Sequence, residues 1–369
     1  MTRVAYIVSL VNKAVAFEWI VQHIDHTKFE LTFILLHSEE TSLEKNLKAE
    51  NIPVFRVHYS GKKDVPSAIL KVRRLLRKNK IDVVHAHLFD ASIVGLTAAK
   101  LAGIKNRIHT RHNATIHHDY HPHAVKYDRY INYLSTHIVA ISQNVKTILT
   151  DLENVNPEKI SIIHHGFMLE QFSAIPQARV EVLRQKYIPG ETLVIGVISR
   201  YIHWKGIQHI LPAFKQLLAD HQQVKLVLAN ATGPYQAEVK SMLAELPADR
   251  YLEILFEEDI FALYPLFDVF VHVPIDSRSE AFGQIYVEAL AAGVPSVFTL
   301  SGIANDFIRD RQNALVVPFN DSEAIYGAVT ELLENDELRE TLVRNGKKDV
   351  QELFTLDKMI RSLEALYEK

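Results

Sequence analysis

The sequence predicts an α/β fold made of two domains, each built on a parallel β-sheet. At 369 residues the chain exceeds the length at which a single core usually stops growing, and its 48% hydrophobic content is enough for two cores. Short β-branched, apolar runs alternate with helical patterns in both halves. Near-continuous apolar strands joined by helices are typical of parallel sheets covered on both faces, so each half is expected to form a Rossmann-like domain.

Seven strands are predicted in the first half and six in the second, each from a short apolar run. Helical patterns separate them, for example at 67–79 and 91–102. The predicted strands are 4–9, 31–36, 54–57, 83–85, 106–110, 137–141 and 160–163, followed by 193–198, 225–228, 252–256, 269–273, 296–299 and 314–317. Sheets of this kind bind ligands at the carboxyl ends of their strands, so residues just after each strand are candidates for a site.

Breaks in this alternation predict the domain boundaries. A segment with two prolines and Gly190 is interpreted as a linker, and the amphipathic pattern of 354–368 predicts a final helix. The predicted parts are a first domain over 1–173, the linker over 174–191, a second domain over 192–352 and the final helix over 353–369.

Composition excludes several functional classes. A net charge of −3 argues against nucleic acid as a partner, because such proteins usually carry a basic excess. The absence of cysteine excludes disulfides, catalytic thiols and cysteine-bound zinc, and it fits a reducing compartment. The first apolar run ends at Asn12 and Lys13 without a cleavage site, and no run reaches the ~20 residues that span a bilayer. We therefore expect a cytoplasmic chain.

The most informative stretch for function is S-E-A-F-G-Q-I-Y-V-E-A-L-A-A-G-V-P at 279–295. Its pattern predicts a short helix over about 284–292, because a glycine and a proline close it. A helix that begins just after Gly283 directs backbone N–H groups at whatever precedes it. Such a helix start is suited to binding phosphate.

Two carboxylates, Glu280 and Glu288, flank this helix start. Eight residues of helix rise about 12 Å, which is more than the roughly 5–9.5 Å between the two carboxylates of a glycosidase. We therefore expect Glu280 in the loop and Glu288 on the helix, in contact with different parts of one long ligand. A nucleotide sugar fits this requirement.

The same stretch resembles the signature of the glycosyltransferase family 4 (group 1) enzymes, in which two glutamates separated by seven residues bracket F-G. Six further segments resemble elements of that family in the same order, so the resemblance covers nearly the whole chain. They are V-V-H-A-H at 83–87, T-R-H-N at 110–113, H-I-V-A-I-S at 137–142, S-I-I-H-H-G-F at 161–167, I-S-R-Y-I-H-W-K-G at 198–206 and N-A-L-V-V-P at 313–318.

The resemblance implies a fold and an activity. The fold is the GT-B architecture: two facing Rossmann-like domains, an active site in the cleft, and a C-terminal helix that crosses back to the first domain. The activity is transfer of a sugar, with retention, from a nucleotide-sugar donor on the second domain to an acceptor hydroxyl on the first. Family habit suggests a saccharide or lipid-linked acceptor in surface polysaccharide or glycolipid assembly. No metal or other cofactor is expected, because protein cations neutralise the diphosphate.

Arg200 and Lys205 are the candidate cations. Arg200 follows a predicted strand and Lys205 opens the next helix, so both are expected near the ligand end of the sheet. Cations fixed at that position stabilise the charge that develops on a leaving diphosphate. By resemblance, both residues bind the donor and count among the catalytic residues; a solvated surface position is the alternative.

The resemblance assigns the remaining donor-binding residues to the 279–295 stretch. The backbone amides of Gly283 and Gln284 would contact the diphosphate, and Glu288 would accept the ribose hydroxyls. Glu280 would contact the donor sugar beside its anomeric carbon and is therefore also counted as catalytic. Phe282 belongs to the same donor-binding set, with a packing role as the competing interpretation.

By resemblance, His112 is the candidate catalytic histidine, because a family histidine at this position meets the donor sugar near the reacting centre; a structural histidine is the alternative. Arg111, His112 and Asn113 together form the predicted acceptor side. Six histidines between 109 and 123 also raise the possibility of a metal site. No H-E-x-x-H or comparable spacing frames them, so an acceptor-binding loop is the preferred interpretation.

One loop departs from the family pattern and leaves alternatives open. The family usually carries G-G-x-E in the first strand-to-helix loop, whereas this chain has V-A-F-E from Val15 to Glu18, which places Cβ atoms where glycine backbone would approach phosphates. A non-catalytic nucleotide-sugar-binding relative is one alternative, and a nucleotide-sugar 2-epimerase of the same architecture is another. An NAD oxidoreductase is disfavoured because no G-x-G-x-x-G follows an early strand.

A strongly basic segment runs from Lys62 to Lys80. It carries eight Lys or Arg residues and one acidic residue in a chain whose net charge is negative. Its apolar residues fall on one helical stripe, which is typical of a helix packed on a sheet. Basic residues on the opposite face predict peripheral association with an anionic membrane, with a solvated face or an anionic acceptor as alternatives.

Overall fold

The chain folds as two compact units, each with its own parallel sheet, which confirms the predicted α/β class. The computed structural model describes residues 1–190, 192–221 and 223–369. Unit 1 consists of Met1–Phe167 and Leu356–Lys369, and unit 2 consists of Met168–Thr355. All thirteen predicted strands are present, with ends within two residues of those predicted.

Unit 1 contains a seven-stranded parallel sheet in the order β3-β2-β1-β4-β5-β6-β7. In register, Val4 of β1 pairs with Leu31 on one side and Val83 on the other. The strand order therefore reverses between β1 and β4, which is where ligands usually bind such sheets. The strands are β1 (Thr2–Ser9), β2 (Phe29–Leu36), β3 (Val54–Val57), β4 (Val83–His87), β5 (Asn106–Arg111), β6 (His137–Ala140) and β7 (Ile160–Ile162).

Seven α-helices of unit 1 connect these strands. They are α1 (Val15–His23), α2 (Ser42–Ala49), α3 (Val65–Lys78), α4 (Phe89–Ala102), α5 (Ile116–Tyr120), α6 (Val125–Leu134) and α7 (Gln143–Thr147). Short 3-10 turns occur at Lys62–Asp64, Pro122–Ala124 and Pro157–Lys159, and a π-helical turn at Ile148–Leu152. Helix α3 buries Ala68, Val72 and Leu76 against the sheet side, as its apolar stripe predicts.

Unit 2 contains a six-stranded parallel sheet in the order β10-β9-β8-β11-β12-β13. The strands are β8 (Leu193–Ile198), β9 (Val224–Ala229), β10 (Tyr251–Ile254), β11 (Val269–His272), β12 (Ser296–Phe298) and β13 (Leu315–Val316). The order is the Rossmann order, and it reverses between β8 and β11. Residues that follow β8 and β11 therefore lie at the ligand-binding position of this sheet.

Nine α-helices belong to the described part of unit 2. They are α8 (Glu170–Ser173), α9 (Gln177–Tyr187), α10 (Ile207–Asp220), α11 (Gln236–Leu243), α12 (Ile260–Leu263), α13 (Gln284–Ala292), α14 (Ala304–Phe307), α15 (Ser322–Glu334) and α16 (Asp336–Leu353), with 3-10 turns at His203–Lys205 and Tyr264–Leu266. In the three described stretches of the chain, no helix has the length and apolar character needed to cross a membrane.

The segment expected to be a linker folds instead as part of unit 2. Residues 174–190 include α9, which buries Val180 and Leu183, while Glu191 lies outside the described residues. Pro176 does not interrupt α9, because it stands at the N-cap, where a backbone N–H is not required for helical hydrogen bonding. The prolines therefore mark the ends of a helix rather than an extended connection.

The last helix, α17 (Leu356–Tyr367), returns to unit 1 and confirms the predicted crossing of the chain to the first domain. The hydroxyl of Tyr367 forms hydrogen bonds with the hydroxyl of Tyr6 and, at 2.7 Å, with Nδ1 of His85. The carboxylate of Glu364 accepts a 2.8 Å hydrogen bond from the backbone N–H of Asp25. Side-chain bonds of this kind fix the helix on β1 and β4 beyond what apolar burial alone would do.

Candidate active site

The charged residues predicted for the donor follow β8 and β11. Arg200 follows β8, and Glu280 lies in the loop after β11. Lys205 lies in the His203–Lys205 turn rather than at the start of α10, which begins at Ile207. Lys205 and Glu280 meet at the point where the strand order of this sheet reverses.

Lys205 and Glu280 form a largely buried ion pair at this position. Their side chains are 16% and 7% exposed, and Nζ of Lys205 contacts Oε1 of Glu280. The same Oε1 lies 3.1 Å from Nε2 of His272, the last residue of β11. Sequence analysis missed His272, although a histidine that closes an apolar strand is a recognisable signal. The three side chains form one charged cluster, the donor cluster.

Gly206 is the residue that lets Lys205 reach this position. Its φ is +77°, and a Cβ at this position would lie 1.8 Å from the carbonyl oxygen of Val273. No L-residue with a side chain fits that contact, so the glycine allows the turn carrying Lys205 to pass directly over the end of β11.

The donor cluster keeps Glu280 ionised and His272 neutral at neutral pH. Burial by itself would raise the pKa of Glu280, but the Lys205 ammonium and the His272 N–H lower it to about 2. Burial lowers the pKa of His272 to about 4, against the opposing effect of Glu280. The carboxylate therefore remains a hydrogen-bond acceptor, which suits contact with sugar hydroxyls.

Helix α13 runs from Gln284 to Ala292, as the sequence predicts. Gly283 and Gly293 flank it in left-handed conformations, with φ of +81° and +76°. Gly283 has no side chain with which to cap the helix, so the helix start offers its backbone amides to a ligand. Phe282 is 3% exposed and packs edge-to-face on Phe354, which supports its interpretation as a packing residue.

Glu288 lies in the middle of α13 and accepts a 2.7 Å hydrogen bond from the hydroxyl of Tyr264. Tyr264 is fully buried, and its hydroxyl fixes this carboxylate. Burial raises the pKa of Glu288, and the Tyr264 bond opposes that effect. Arg200 is exposed and makes no ion pair with any residue that the structure describes.

In unit 1, the ends of β4 and β5 carry a cluster of histidines around the predicted His112. Nε2 of His112 lies 3.1 Å from Nδ1 of His87, and the His165 ring stacks on His112 at a centroid distance of 5.7 Å. His87 in turn lies 4.2 Å from the ring of His85. We call His85, His87, His112 and His165 the imidazole cluster. His87 lies in the V-V-H-A-H segment, but sequence analysis gave it no role.

Desolvation keeps every member of the imidazole cluster neutral near pH 7. It lowers the pKa of His112 to about 4 and the pKa values of His85 and His165 to about 3. The pKa of His87 falls well below its usual value for the same reason, with neighbouring histidines adding to the effect. A neutral imidazole can donate one hydrogen bond and accept another. Both ring nitrogens of His85 are already bonded, to Tyr367 and to Thr110, so His112, which lines the neighbouring cavity, is the member placed to contact a polar, uncharged group.

Arg111, predicted to lie on the acceptor side, is instead a structural residue of unit 1. Its guanidinium is 1% exposed and pairs with Asp128 at 2.6 Å and with Glu153 at 2.7 Å. Its Nε also donates to the carbonyl of Asn113, at 3.1 Å, across His112. A guanidinium used in this way holds the His112 loop in place and is not available to a ligand.

The loop histidines do not gather around a common centre. His117 pairs with Asp128 at 2.6 Å, and His118 lies 3.2 Å from Glu153. Asn113, the third predicted acceptor-side residue, bonds to His117 and lines a cavity of about 220 Å³ beside His112. Within the described residues, no three His, Asp or Glu side chains are arranged to hold a metal ion.

The loop that departs from the family pattern forms the first turn of α1. Phe17 packs its ring edge-on against His87 at 4.9 Å, and Glu18 accepts a 2.8 Å hydrogen bond from Asn46. The Phe17 ring therefore covers His87, one member of the imidazole cluster, whereas Val15, at one of the two positions where the family has glycine, is exposed.

Comparison with known proteins identifies two families along most of the chain. The family described as Glycosyl transferases group 1 matches residues 180–349, and the family described as Glycosyltransferase Family 4 matches residues 20–171. The first match lies within unit 2, and the second lies almost wholly within unit 1.

Individual relatives are similar over most of their length. The capsular polysaccharide biosynthesis glycosyltransferase CapM of Staphylococcus aureus is 26% identical over 81% of this chain and 80% of CapM. The UDP-Gal:alpha-D-GlcNAc-diphosphoundecaprenol alpha-1,3-galactosyltransferase of Escherichia coli is 22% identical over 88% of this chain and 84% of the relative. The solved structure of Anabaena HepE in complex with UDP and glucose aligns with a TM-score of 0.84 at 18% identity. The alignment covers 99% of this chain and 99% of the HepE chain, so the fold is shared.

The structural role of Arg111 predicts a large loss of stability in Arg111→Ala. Removing the guanidinium leaves the Asp128 and Glu153 carboxylates buried without their cation, which should lower the free energy of unfolding by about 3–5 kcal/mol. Arg311→Ala is the matched control, because Arg311 pairs with Glu331 on the surface at 54% exposure, and its loss should change the free energy of unfolding little. Urea denaturation measures both. Equal stability of the two variants would contradict the structural role.

Proposed function

We propose that the chain, which belongs to the family 4 (group 1) glycosyltransferases, transfers a hexose from a nucleotide-diphosphate donor to an acceptor hydroxyl with retention of anomeric configuration. The observation that carries this proposal is the donor cluster beside the start of α13. It combines a buried cation, an ionised carboxylate and a helix start at the ligand end of one sheet. An enzyme that binds a sugar diphosphate needs all three groups, whereas an enzyme that only hydrolyses a sugar linkage does not.

The donor is held by unit 2. As the bond between the anomeric carbon and the diphosphate breaks, its electron pair leaves with the diphosphate, and the negative charge on that group increases. Lys205 and the exposed Arg200 neutralise this charge, together with the backbone amides of Gly283 and Gln284. These cations take the role that a divalent metal has in other transferases, so no metal ion is required.

Two carboxylates bind the two ends of the donor. Glu288, fixed by Tyr264, accepts hydrogen bonds from the ribose hydroxyls. Glu280 accepts hydrogen bonds from hydroxyls of the transferred sugar. The low pKa of Glu280 supports this assignment, because the carboxylate stays ionised and accepts hydrogen bonds across the neutral pH range.

The acceptor binds unit 1 at His112 and Asn113, which line the cavity of about 220 Å³. Arg111 is excluded from this set, since its guanidinium is buried in ion pairs. The hydroxyl of Thr110, the amide of Asn113 and the imidazole of His112 in the cavity wall suit a saccharide hydroxyl. Two relatives, a capsular polysaccharide biosynthesis glycosyltransferase and a galactosyltransferase named for a diphosphoundecaprenol-linked sugar, support surface polysaccharide or glycolipid assembly as the setting.

Unit 1 also carries a surface suited to an anionic membrane. Along α3, the exposed side chains of Lys71, Arg74, Arg77 and Lys78 line one open groove, and Leu70 beside them is 61% exposed. Together with the other basic residues between Lys62 and Lys80, they form the basic face. Each basic residue near an anionic bilayer contributes about 1 kcal/mol, so the basic face would hold the enzyme reversibly at the cytoplasmic side of a membrane, beside a lipid-linked acceptor.

A panel of nucleotide sugars tests the proposed reaction. Each donor is incubated with the protein and a set of saccharide and lipid-linked acceptors, and nucleotide release is measured with thermal shift in parallel. We expect at least one nucleotide sugar to raise the melting temperature and to be turned over with an acceptor. NMR of the product should show the same anomeric configuration as in the donor. Binding without turnover would favour the non-catalytic relative, and isomerisation of the sugar would favour the 2-epimerase.

Lys205→Ala should lower kcat/KM for the donor by roughly 30- to 1,000-fold, which is about 2–4 kcal/mol of transition-state stabilisation. Glu288→Gln should mainly weaken binding of the nucleotide, because the Glu288 carboxylate is proposed to bind the ribose. The matched control is Lys215→Ala, whose lysine pairs with Glu245 on the surface. Steady-state kinetics and nucleotide titrations measure both effects. If folded Lys205→Ala turns over the donor as fast as the control, the donor site lies elsewhere.

Charge reversal of the basic face tests membrane association. Replacing Lys71, Arg74 and Arg77 by glutamate should abolish most binding to anionic vesicles at low salt, because an attractive face becomes repulsive. The control reverses three exposed basic residues of α16, Arg344, Lys347 and Lys348, and should bind like the wild type. Sedimentation with anionic and neutral liposomes measures the bound fraction. Equal binding of both triple variants would rule out this role for the basic face.

A further inference from the structure

We propose that His87 is a positioning residue that fixes the tautomer of His112. In this arrangement Nδ1–H of His87 donates to Nε2 of His112, and the single ring proton of His112 is therefore held on Nδ1. His112 then offers the substrate a hydrogen-bond donor and not a base at Nε2. The role of this donor in sugar transfer rests on the proposed function, whereas the tautomer itself does not.

The geometry requires one proton between the two rings. Nδ1 of His87 and Nε2 of His112 are 3.1 Å apart, and the ring centroids are 5.4 Å apart. Since two unprotonated nitrogens would repel each other and two N–H groups would clash, one ring donates and the other accepts. His112 makes no other hydrogen bond to the described residues, so this contact alone selects its tautomer.

The residues around His87 bury its ring and keep it neutral. Its ring stacks on Tyr6 at 5.3 Å, meets the edge of Phe17 at 4.9 Å and is tilted against His85 at 4.2 Å. Burial and the neighbouring histidines lower the pKa of His87 far below 6.5, and desolvation lowers that of His112 to about 4. Each ring therefore carries one N–H group.

The direction of the bond follows from the other nitrogen of His87. Its Nε2 is buried and has no hydrogen-bond partner among the described residues. If His112 were the donor, the proton of His87 would sit on Nε2 as a buried N–H without an acceptor, which folded proteins rarely tolerate. If His87 is the donor, Nε2 carries only an unused lone pair. The second arrangement is the less costly one.

The tautomer limits what His112 can do. Its Nε2 lone pair is already engaged by His87, so His112 cannot accept a proton there without breaking that bond. The remaining Nδ1–H can donate to an oxygen of a bound sugar. His112 therefore acts through a fixed hydrogen bond to the donor or acceptor sugar, and a general-base role would have to come from another group.

Nuclear magnetic resonance of protein carrying ¹⁵N-labelled histidine measures the tautomer directly. The His112 signals are assigned by their absence in His112→Gln. We expect a protonated Nδ1 and an unprotonated Nε2 in the wild type. His87→Asn keeps an N–H near the position of Nδ1 and should preserve that pattern, whereas His87→Phe keeps an aromatic ring without the N–H and should lose it.

Turnover of the donor selected by the panel then tests the positioning role. His87→Phe should lower kcat by about tenfold with little change in affinity for the free nucleotide, and His87→Asn should restore it. A wild-type His112 protonated on Nε2 would overturn the proposal. So would a His87→Phe variant that has lost the Nδ1–H pattern but keeps full kcat. If the wild type turns over no nucleotide sugar, the proposed function fails while the spectra still decide the tautomer.

Discussion

The buried ion pair between Lys205 and Glu280 is the interaction on which the proposed donor site depends. Removing two charges from water is costly, so a buried ion pair is weak evidence for a gain in stability. The presence of this pair at the ligand end of a sheet therefore points to a role in binding. The pair also constrains the backbone, since the turn carrying Lys205 reaches Glu280 only because Gly206 has no Cβ to meet the carbonyl of Val273. His272 adds an N–H donor to the same carboxylate oxygen and completes a cluster that is ready for a charged ligand.

The two units treat charge in opposite ways. In unit 2 the charges stand at the strand ends, where a diphosphate and a sugar would use them. In unit 1 the strand ends carry neutral imidazoles, and the charges of Arg111, Asp128 and Glu153 are buried in mutual ion pairs that hold the loop of His112. This division matches the chemistry of sugar transfer from a nucleotide, because the leaving group is strongly anionic and the acceptor hydroxyl is not.

Much of the fold could be predicted because its signals are local. Apolar runs gave all thirteen strands, and the glycines at 283 and 293 gave both ends of α13. The pairing of Lys205 with Glu280 could not be predicted, since it joins residues 75 positions apart through tertiary contacts. Arg111 was misassigned for a similar reason: its sequence position at a strand end is the same whether the side chain points toward a ligand or, as found, toward Asp128. The prediction of a linker over 174–191 was wrong for 174–190, because prolines that flank a helix resemble prolines in a loop when only the sequence is known.

The most direct test of the donor site is an experimental structure of the chain with the bound nucleotide sugar that the panel selects. The account predicts that a phosphate oxygen lies within hydrogen-bond distance of Lys205 Nζ and of the amides at the start of α13. It also predicts the ribose on Glu288 and the sugar hydroxyls on Glu280. A nucleotide sugar bound away from these residues, with no contact to Lys205 or Glu280, would contradict it.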